Sequence, residues 1–166
     1  IGLPVSEITV VPIVPAAVLF DLHVGSSTVR PSTEWGYQAA QEANDSPISS
    51  GNIGAGMGAT VGKLLGPHRA TKGGLGSALI RLENDVVVSA LVAVNAVGEV
   101  VDTASNRIIA GVRANDVGHY EPAVDIALGN SMSNLIAGTN TTLGVIATNA
   151  NLSKSQLKKI AEMAHD

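Results

Sequence analysis

Residues 138–149, GTNTTLGVIATN, join a polar turn to a short apolar run, and this junction sets the start of a predicted strand. The run from Thr142 to Thr148 is typical of a β-strand. Asn140 precedes two hydroxyl residues at the start of that run. A cut between Asn140 and Thr141 would give Thr141 a free α-amino group, and an amine with a pKa of about 7.7–8.0 can act as base for the hydroxyl of the same residue. The junction is therefore a candidate self-cleavage site with Thr141 as candidate nucleophile.

Two plainer interpretations exist for the same residues. An Asn-Thr pair before a strand is commonly only a turn that enters a sheet. The triplet at residues 140–142 also fits the N-glycosylation pattern, as do residues 44–46 and 151–153. The chain shows no secretory signal that would deliver it to glycosylation, so the glycosylation interpretation is weak and a cytoplasmic location is expected.

The composition indicates one domain with a substantial core. Of the 166 residues, 45% are hydrophobic and 2% aromatic, and the 18 glycines suggest close backbone packing. Ten Lys and Arg residues against fourteen Asp and Glu residues give a net charge of −4. Neither a nucleic acid nor an anionic membrane is therefore expected as a partner. The absence of Cys excludes disulfides and thiol catalysis, and no apolar run reaches the roughly 18 residues of a spanning helix.

We expect residues 1–166 to be a single domain that is a fragment of a larger precursor. The chain starts at Ile1 without Met and ends at Asp166, inside or just past a predicted helix. Such a piece would leave apolar sheet and helix surface uncovered, and more chain or another subunit usually covers surface of that kind. The native protein is therefore expected to be a homo-oligomer.

Hydrophobic periodicity and turn residues predict strands in hairpins with separate helices, which favours an α+β fold. The polar turn at 83–85 predicts a hairpin with residues 86–88 deep in the sheet. Ser153 with Gln156 fits a capping box before an apolar helix face, so the last helix is expected to pack on a core. Strands are predicted over 7–14, 16–22, 74–82, 86–95, 99–103, 108–112 and 142–148, and helices over 32–43, 122–128 and 153–164.

Asn95 interrupts the apolar run LVAVNAVG at residues 91–98. A buried amide costs free energy unless it is hydrogen-bonded. It is either a strand-end amide satisfied by the turn before Gly98, or a donor to the oxyanion that forms when Thr141 attacks a carbonyl. Removing one such donor can cost about 10²–10³ in rate.

Other site types have little support. The stretch GAGMGA at 54–59 fits G-x-G-x-x-A but follows a polar segment rather than a hydrophobic strand. The Walker A pattern fails, because Met57 stands where its first Gly is required and Leu64 follows Lys63 where Ser or Thr is required. The four histidines are widely scattered, and neither H-E-x-x-H nor G-x-S-x-G occurs. No metal and no cofactor are expected.

Three segments occur in the order GNIGAGMGATVGK, LVAVNAVGEVVD and GTNTTLGVIATNANLSKSQLKKIAEMAHD. Together they resemble the P1 family of N-terminal-nucleophile hydrolases, which includes DmpA-type aminopeptidases, β-peptidyl aminopeptidases and endo-type nylon-oligomer hydrolases. The Asn-Thr-Thr form is most similar to the last of these. The similarity covers most of the chain from about Ile8 onward.

The resemblance implies a four-layer αββα sandwich, incomplete in this chain, with Thr141 at the start of a central strand. It also implies functional roles for Lys63 and Asn95, whereas without it Lys63 would be interpreted as a solvated loop lysine. One departure concerns Phe20, which stands where the family can carry a tyrosine. Because Phe20 cannot donate a hydroxyl hydrogen bond, either that bond is dispensable or the substrate preference differs.

The expected function is self-processing amide or peptide hydrolysis, by an aminopeptidase or amidase. After the cut between Asn140 and Thr141, catalysis would rest on Thr141, Asn95 and Lys63. The expected partners are short peptides, β-peptides or ω-amino-acid oligomers, without a cofactor. The alternative is a catalytically inactive domain of the same type that acts as a structural or assembly subunit.

Overall fold

The computed structural model of the protein describes residues 2–129 and 138–165. Within these residues it is a mixed α/β arrangement with one three-stranded sheet and four two-stranded pairs, compatible with the predicted α+β fold. The four-layer αββα sandwich stays a prediction. The strands are β1 (Gly2–Val5), β2 (Thr9–Pro12), β3 (Thr60–Val61), β4 (Thr71–Lys72), β5 (Gly74–Arg81), β6 (Val87–Asn95), β7 (Val100–Asp102), β8 (Arg107–Ala110), β9 (Val112–Arg113), β10 (Tyr120–Glu121) and β11 (Thr141–Thr148), and the helices are α1 (Thr33–Gln41), α2 (Ala123–Leu128) and α3 (Lys154–Met163).

The three-stranded sheet has β6 in the middle, with β5 and β11 antiparallel on either side. The predicted hairpin of β5 and β6 is confirmed, and its turn places Asp85 at φ 61°. Asn149 closes this end of the sheet, because its Oδ1 accepts from the Val87 N–H at 2.8 Å and its Nδ2 donates to the Asp85 carbonyl at 3.0 Å. The end of β11 is therefore tied to the β5–β6 turn.

Burial along β6 increases away from this turn. Val88 is 36% exposed, whereas Ala93 is 4% and Asn95 is 0% exposed. The prediction that residues 86–88 lie deep in the sheet is therefore wrong. The glycine-rich loop, residues 54–63, covers the opposite end instead, so closely that a Cβ on Gly56 would lie 2.3 Å from the backbone nitrogen of Leu75 in β5.

The N-terminal segment differs from its prediction. The strand predicted over 7–14 is confirmed only over Thr9–Pro12, where β2 pairs with β1 in an exposed hairpin. The strand predicted over 16–22 is wrong, since this segment has no ladder partner. Pro12, the last residue of β2, and Pro15 lack the N–H groups that would continue the β2 ladder toward this segment. The segment is instead attached to the sheet by the Phe20 carbonyl, which accepts a hydrogen bond from Asn95 Nδ2 at 3.0 Å.

The two helices with predicted N-caps are confirmed. Ser32 Oγ accepts from the Trp35 N–H at 3.3 Å at the start of α1, and Ser153 with Gln156 forms the capping box of α3. Neither helix has a buried residue, so the prediction that α3 packs on a core is wrong. The apolar face of α3 borders a cavity of about 420 Å³ against the sheet, lined by Val92, Thr142, Gly144, Ile146, Thr148, Leu157, Ile160, Ala161, Ala164 and His165.

A small core lies around the strands that follow β6. The strands predicted over 99–103 and 108–112 are confirmed as the hairpin of β7 and β8, except that Val112 leaves this hairpin and pairs within β9–β10. Val112 is fully buried and packs with Leu64 and Ile126. α2, which carries Ile126, is confirmed where a helix was predicted.

Gly62 makes a close backbone contact in the loop that leads to Lys63. Its φ is 71°, its N–H donates to the Gly98 carbonyl at 2.7 Å, and a Cβ at this position would lie 2.1 Å from the carbonyl carbon of Gly111. Both the left-handed backbone and the lack of space therefore require glycine here.

We predict that Gly62→Ala lowers the free energy of unfolding by more than about 2 kcal/mol, because the left-handed conformation costs about 1–2 kcal/mol and the overlap with the neighbouring backbone adds to it. Gly25→Ala is the control, since Gly25 has φ 69° but open space where the Cβ would lie. Gly25→Ala should therefore lower the free energy of unfolding only by the cost of the left-handed conformation. Urea unfolding of the full-length protein measures both, and equal losses at the two positions would contradict the predicted overlap.

Candidate active site

The register between β11 and β6 brings two predicted site residues together. β11 begins at Thr141, one residue before the predicted boundary, and Thr141 lies directly opposite Asn95. Directly opposite residues share a sheet face, with Cβ atoms about 4.5–5.5 Å apart. Thr142 pairs with Val94 and therefore points to the other face. Two residues that are far apart in the sequence thus meet at one end of the sheet.

The side chain of Asn95 is fully buried, and both of its polar atoms are hydrogen-bonded. Oδ1 accepts from the Thr60 N–H at 3.0 Å and from Lys63 Nζ at 2.8 Å. Nδ2 donates to the carbonyls of Phe20 at 3.0 Å and Thr139 at 3.4 Å. These partners come from three separate segments, around residues 20, 60–63 and 139, rather than from the turn after β6. The amide therefore joins those segments at the site.

Lys63 belongs to the same group of hydrogen bonds. Its backbone N–H donates to the Val97 carbonyl at 2.8 Å, which holds the residue beside the end of β6. Its Nζ donates to the Asn95 carbonyl at 3.1 Å, to Asn95 Oδ1 at 2.8 Å and to the Thr139 carbonyl at 3.3 Å. A protonated lysine has three N–H donors, and each has an acceptor here. Lys63 is therefore not a freely solvated loop lysine.

Burial lowers the pKa of the Lys63 amine from 10.5 to about 8. At pH 7 the amine is still mostly protonated, whereas above about pH 8 it loses one of its three donors. Because this pKa is lower in the folded than in the unfolded chain, the folded chain binds fewer protons between about pH 8 and 10.5. The contribution of Lys63 to the free energy of unfolding therefore rises with pH across this interval, and it is lost as the pH falls through about 8.

We predict that the Lys63 amine titrates with a midpoint near pH 8 in the full-length protein. Nitrogen NMR of the lysine amines measures the midpoint, with Thr141→Ala present to keep the chain uncut. Lys63→Met should remove the titrating signal, whereas Lys159→Met, at an exposed position of α3, should leave it in place. A midpoint near 10.5 would contradict the effect of burial.

Asn140, the residue before the predicted cut, is half-buried. Its Nδ2 donates to Thr139 Oγ1 at 3.2 Å. Its Oδ1 is buried and has no hydrogen-bond donor among the residues that the structure describes.

Three backbone groups at the site were missed by sequence reasoning. They are the carbonyls of Phe20 and Thr139 and the N–H of Thr60, all bonded to Asn95. Phe20 lacks the hydroxyl of a tyrosine, but its backbone carbonyl takes part in the site. Its ring lies edge-on to His23, with the ring centroids 5.4 Å apart. Backbone groups have no residue-type signal, so nothing in the sequence marked them.

Among the residues that the structure describes, no set of three or more His, Cys, Asp or Glu side chains is grouped as metal ligands would be. Within residues 2–129 and 138–165, every helix is too short or too polar to cross a bilayer. The groups that meet near Thr141 are a hydroxyl, an amide, an amine and backbone carbonyls.

Comparison with known proteins gives relatives over nearly the whole chain. A protein named as an uncharacterized aminopeptidase from Mycobacterium leprae (strain TN) is 39% identical over 165 residues, which cover 95% of this chain and 44% of that protein. A similarly named protein from Mycobacterium tuberculosis (strain ATCC 25618 / H37Rv) is 40% identical over 165 residues, with 95% and 45% covered. A 6-aminohexanoate-oligomer endohydrolase from Paenarthrobacter ureafaciens is 31% identical over 159 residues, with 92% and 43% covered.

The chain spans about half the length of these curated relatives. The model of one family, described as peptidase family S58, matches residues 4–166, a range that contains Lys63, Asn95 and Thr141. This match confirms the family resemblance found in the three sequence segments. The chain belongs to peptidase family S58.

Proposed function

We propose that the protein containing this chain is a self-processing amide hydrolase with Thr141 as its N-terminal nucleophile. The observation that carries this proposal is the position of Thr141, which begins β11 directly opposite the buried Asn95 and so lies beside the hydrogen bonds of Lys63. Membership of peptidase family S58, with relatives named as an aminopeptidase and an oligoamide endohydrolase, supports peptide or amide hydrolysis.

Maturation in this proposal is an intramolecular acyl transfer. Thr141 Oγ attacks the carbonyl carbon of Asn140, the C–N bond between the two residues breaks, and the nitrogen leaves as the amine of Thr141. The product is an ester between Asn140 and the Thr141 hydroxyl. Water then hydrolyses this ester, which releases the Asn140 carboxylate and leaves Thr141 with a free hydroxyl and a free amine.

Turnover would use the same atoms on a second amide. The Thr141 amine takes the hydroxyl proton as Oγ attacks the substrate carbonyl, and it then returns a proton to the leaving amine. Hydrolysis of the acyl-enzyme completes the cycle. Short peptides, β-peptides and ω-amino-acid oligomers are the proposed substrates.

Asn95 and Lys63 are proposed to support the charge that develops in this reaction. The Asn95 bond to the Thr139 carbonyl is the longer of its two donor bonds, at 3.4 Å against 3.0 Å to Phe20. The Asn140 carbonyl is the next one along the chain. The proposal requires this N–H to move from the Thr139 oxygen to the oxyanion, where a donor contributes most to the rate. Lys63 Nζ donates to the same Thr139 carbonyl at 3.3 Å, and its charge is proposed to stabilise the oxyanion as well.

The test of this function is the intact mass of the purified full-length protein. Two chains that meet between Asn140 and Thr141, together with hydrolysis of short amides, are the expected result. A single stable chain without hydrolytic activity would favour an inactive assembly subunit instead. The homo-oligomer and the cytoplasmic location stay predictions.

A further inference from the structure

Lys63 contacts the uncut chain at Thr139, two residues before the predicted cut. Its Nζ donates to the Thr139 carbonyl at 3.3 Å, while the carbonyl that Thr141 would attack belongs to Asn140. Two acceptors of Asn95, at 2.8 and 3.1 Å, fix the position of this amine. The third N–H of the ammonium is therefore aimed at the acyl side of the junction.

The position of Thr139 has a counterpart in any substrate of the proposed hydrolase. The same Thr141 hydroxyl attacks the junction and the substrate, so a substrate carbonyl must take the place of the Asn140 carbonyl. Whatever lies one residue further on the acyl side then takes the place of Thr139. In an internal or N-acylated amide this is another carbonyl, which can accept from Lys63. When the residue at the cut is the free N-terminal residue of a peptide, the substrate has no carbonyl at the place of Thr139.

Electrostatic repulsion also disfavours a substrate with a free N-terminal residue at this place, in addition to the missing hydrogen-bond acceptor. A free N-terminal amine is mostly protonated at pH 7, and in this position it would lie next to the Lys63 ammonium. Like charges at such a distance disfavour binding. An acyl group on that amine removes its charge and supplies the acceptor, so one chemical change reverses both effects.

From this geometry we propose, resting on the function proposed above, that Lys63 forms a subsite for a carbonyl one residue to the acyl side of the cut bond. The substrate class is then internal or N-acylated amides rather than peptides with a free N-terminal residue at the cut. In the uncut chain this subsite is filled by Thr139, and cleavage makes it available to substrate.

The test compares four p-nitroanilides of one alanyl-type acyl group with the full-length, processed protein. The first has an N-acetyl group and the second a free amine. The third is a ketone analogue, with a methylene in place of the amide N–H. The fourth is an alkane analogue, in which a methylene also replaces the acetyl carbonyl. The ketone and alkane analogues are both uncharged and differ only in the carbonyl.

We expect kcat/KM to be higher for the ketone than for the alkane by about tenfold to a hundredfold, the range for a hydrogen bond from a charged donor. The kcat/KM of the acetylated compound should exceed that of the free amine by at least the same factor. In Lys63→Met protein that has matured, the ketone-to-alkane ratio should fall close to one. Equal kcat/KM for ketone and alkane in the wild-type protein would overturn the subsite. An unchanged ratio in Lys63→Met would overturn its assignment to Lys63. Both results are separate from the proposed nucleophile, which the Thr141 variants test.

Discussion

Thr141→Ala is expected to leave one uncut chain and to lower amide hydrolysis by about 10⁴-fold or more, the scale of loss found when an enzyme nucleophile is removed. In the proposed mechanism Thr141 supplies the hydroxyl for self-cleavage, and after the cut it supplies both nucleophile and base. One substitution therefore removes maturation and turnover together. Intact mass measures the first effect, and initial rates on short amides measure the second.

The neighbouring residue provides a control of the same type. Thr142 pairs with Val94 and points to the opposite face of the sheet, toward the cavity beside α3. Thr142→Ala should therefore process and hydrolyse at close to the wild-type rates. Thr141→Ser keeps a hydroxyl and should retain part of both reactions. If the Thr141→Ala protein were still cut at the normal rate, intramolecular attack by this hydroxyl would be wrong.

The sequence predicted local elements best where a short pattern of residues is typical of one structural element. Ser153 and Gln156 are the two residues of a capping box, and α3 begins with that box. The polar turn at 83–85 likewise marked the β5–β6 hairpin. Such signals depend on residues close in sequence, so they need no knowledge of the rest of the fold.

Burial could not be predicted in the same way, because it depends on which distant segments cover a strand. Residues 86–88 are more apolar than the end of β6 near Asn95, but the glycine-rich loop covers that end. The strand predicted over 16–22 failed for a related reason. A Val- and Leu-containing segment forms a strand only if a neighbour offers a free ladder edge, and composition does not reveal the neighbour.

The groups of the candidate site also differ in whether the sequence alone could identify them. Thr141 and Asn95 stand out in the sequence as a hydroxyl residue after a candidate cut and an amide in an apolar run, and the family resemblance supports both. The role of Lys63 was predicted from the resemblance alone. The carbonyls of Phe20 and Thr139 could not be named, since every residue has one. They became visible only when the register of β11 with β6 and the path of residues 16–22 were known.

Asn95 links the fold to the proposed chemistry, because three other segments meet at its buried amide. Its Oδ1 accepts hydrogen bonds from the Thr60 N–H and Lys63 Nζ, and its Nδ2 donates to the carbonyls of Phe20 and Thr139. A change that removes the whole side chain would therefore disturb structure and reaction together. Aspartate keeps the acceptor and removes the donors, but its carboxylate also faces the Phe20 and Thr139 carbonyl oxygens, so its stability has to be measured beside its kinetics.

Asn95→Asp is expected to lower kcat by about 10²–10³ while changing KM less, because an oxyanion contact strengthens in the transition state. Asn95→Ala should lower kcat similarly, and it should also lose about 1–3 kcal/mol of stability for each buried partner left unpaired. Asn149→Ala is the control, since the exposed Asn149 makes two side-chain hydrogen bonds, at 2.8 and 3.0 Å, at the other end of the same sheet. It should lower stability and leave kcat unchanged. Steady-state kinetics measures kcat and KM of the three variants, and urea unfolding measures their stability. If Asn95→Asp raised KM and left kcat intact, the amide would be holding the ground-state substrate rather than the oxyanion.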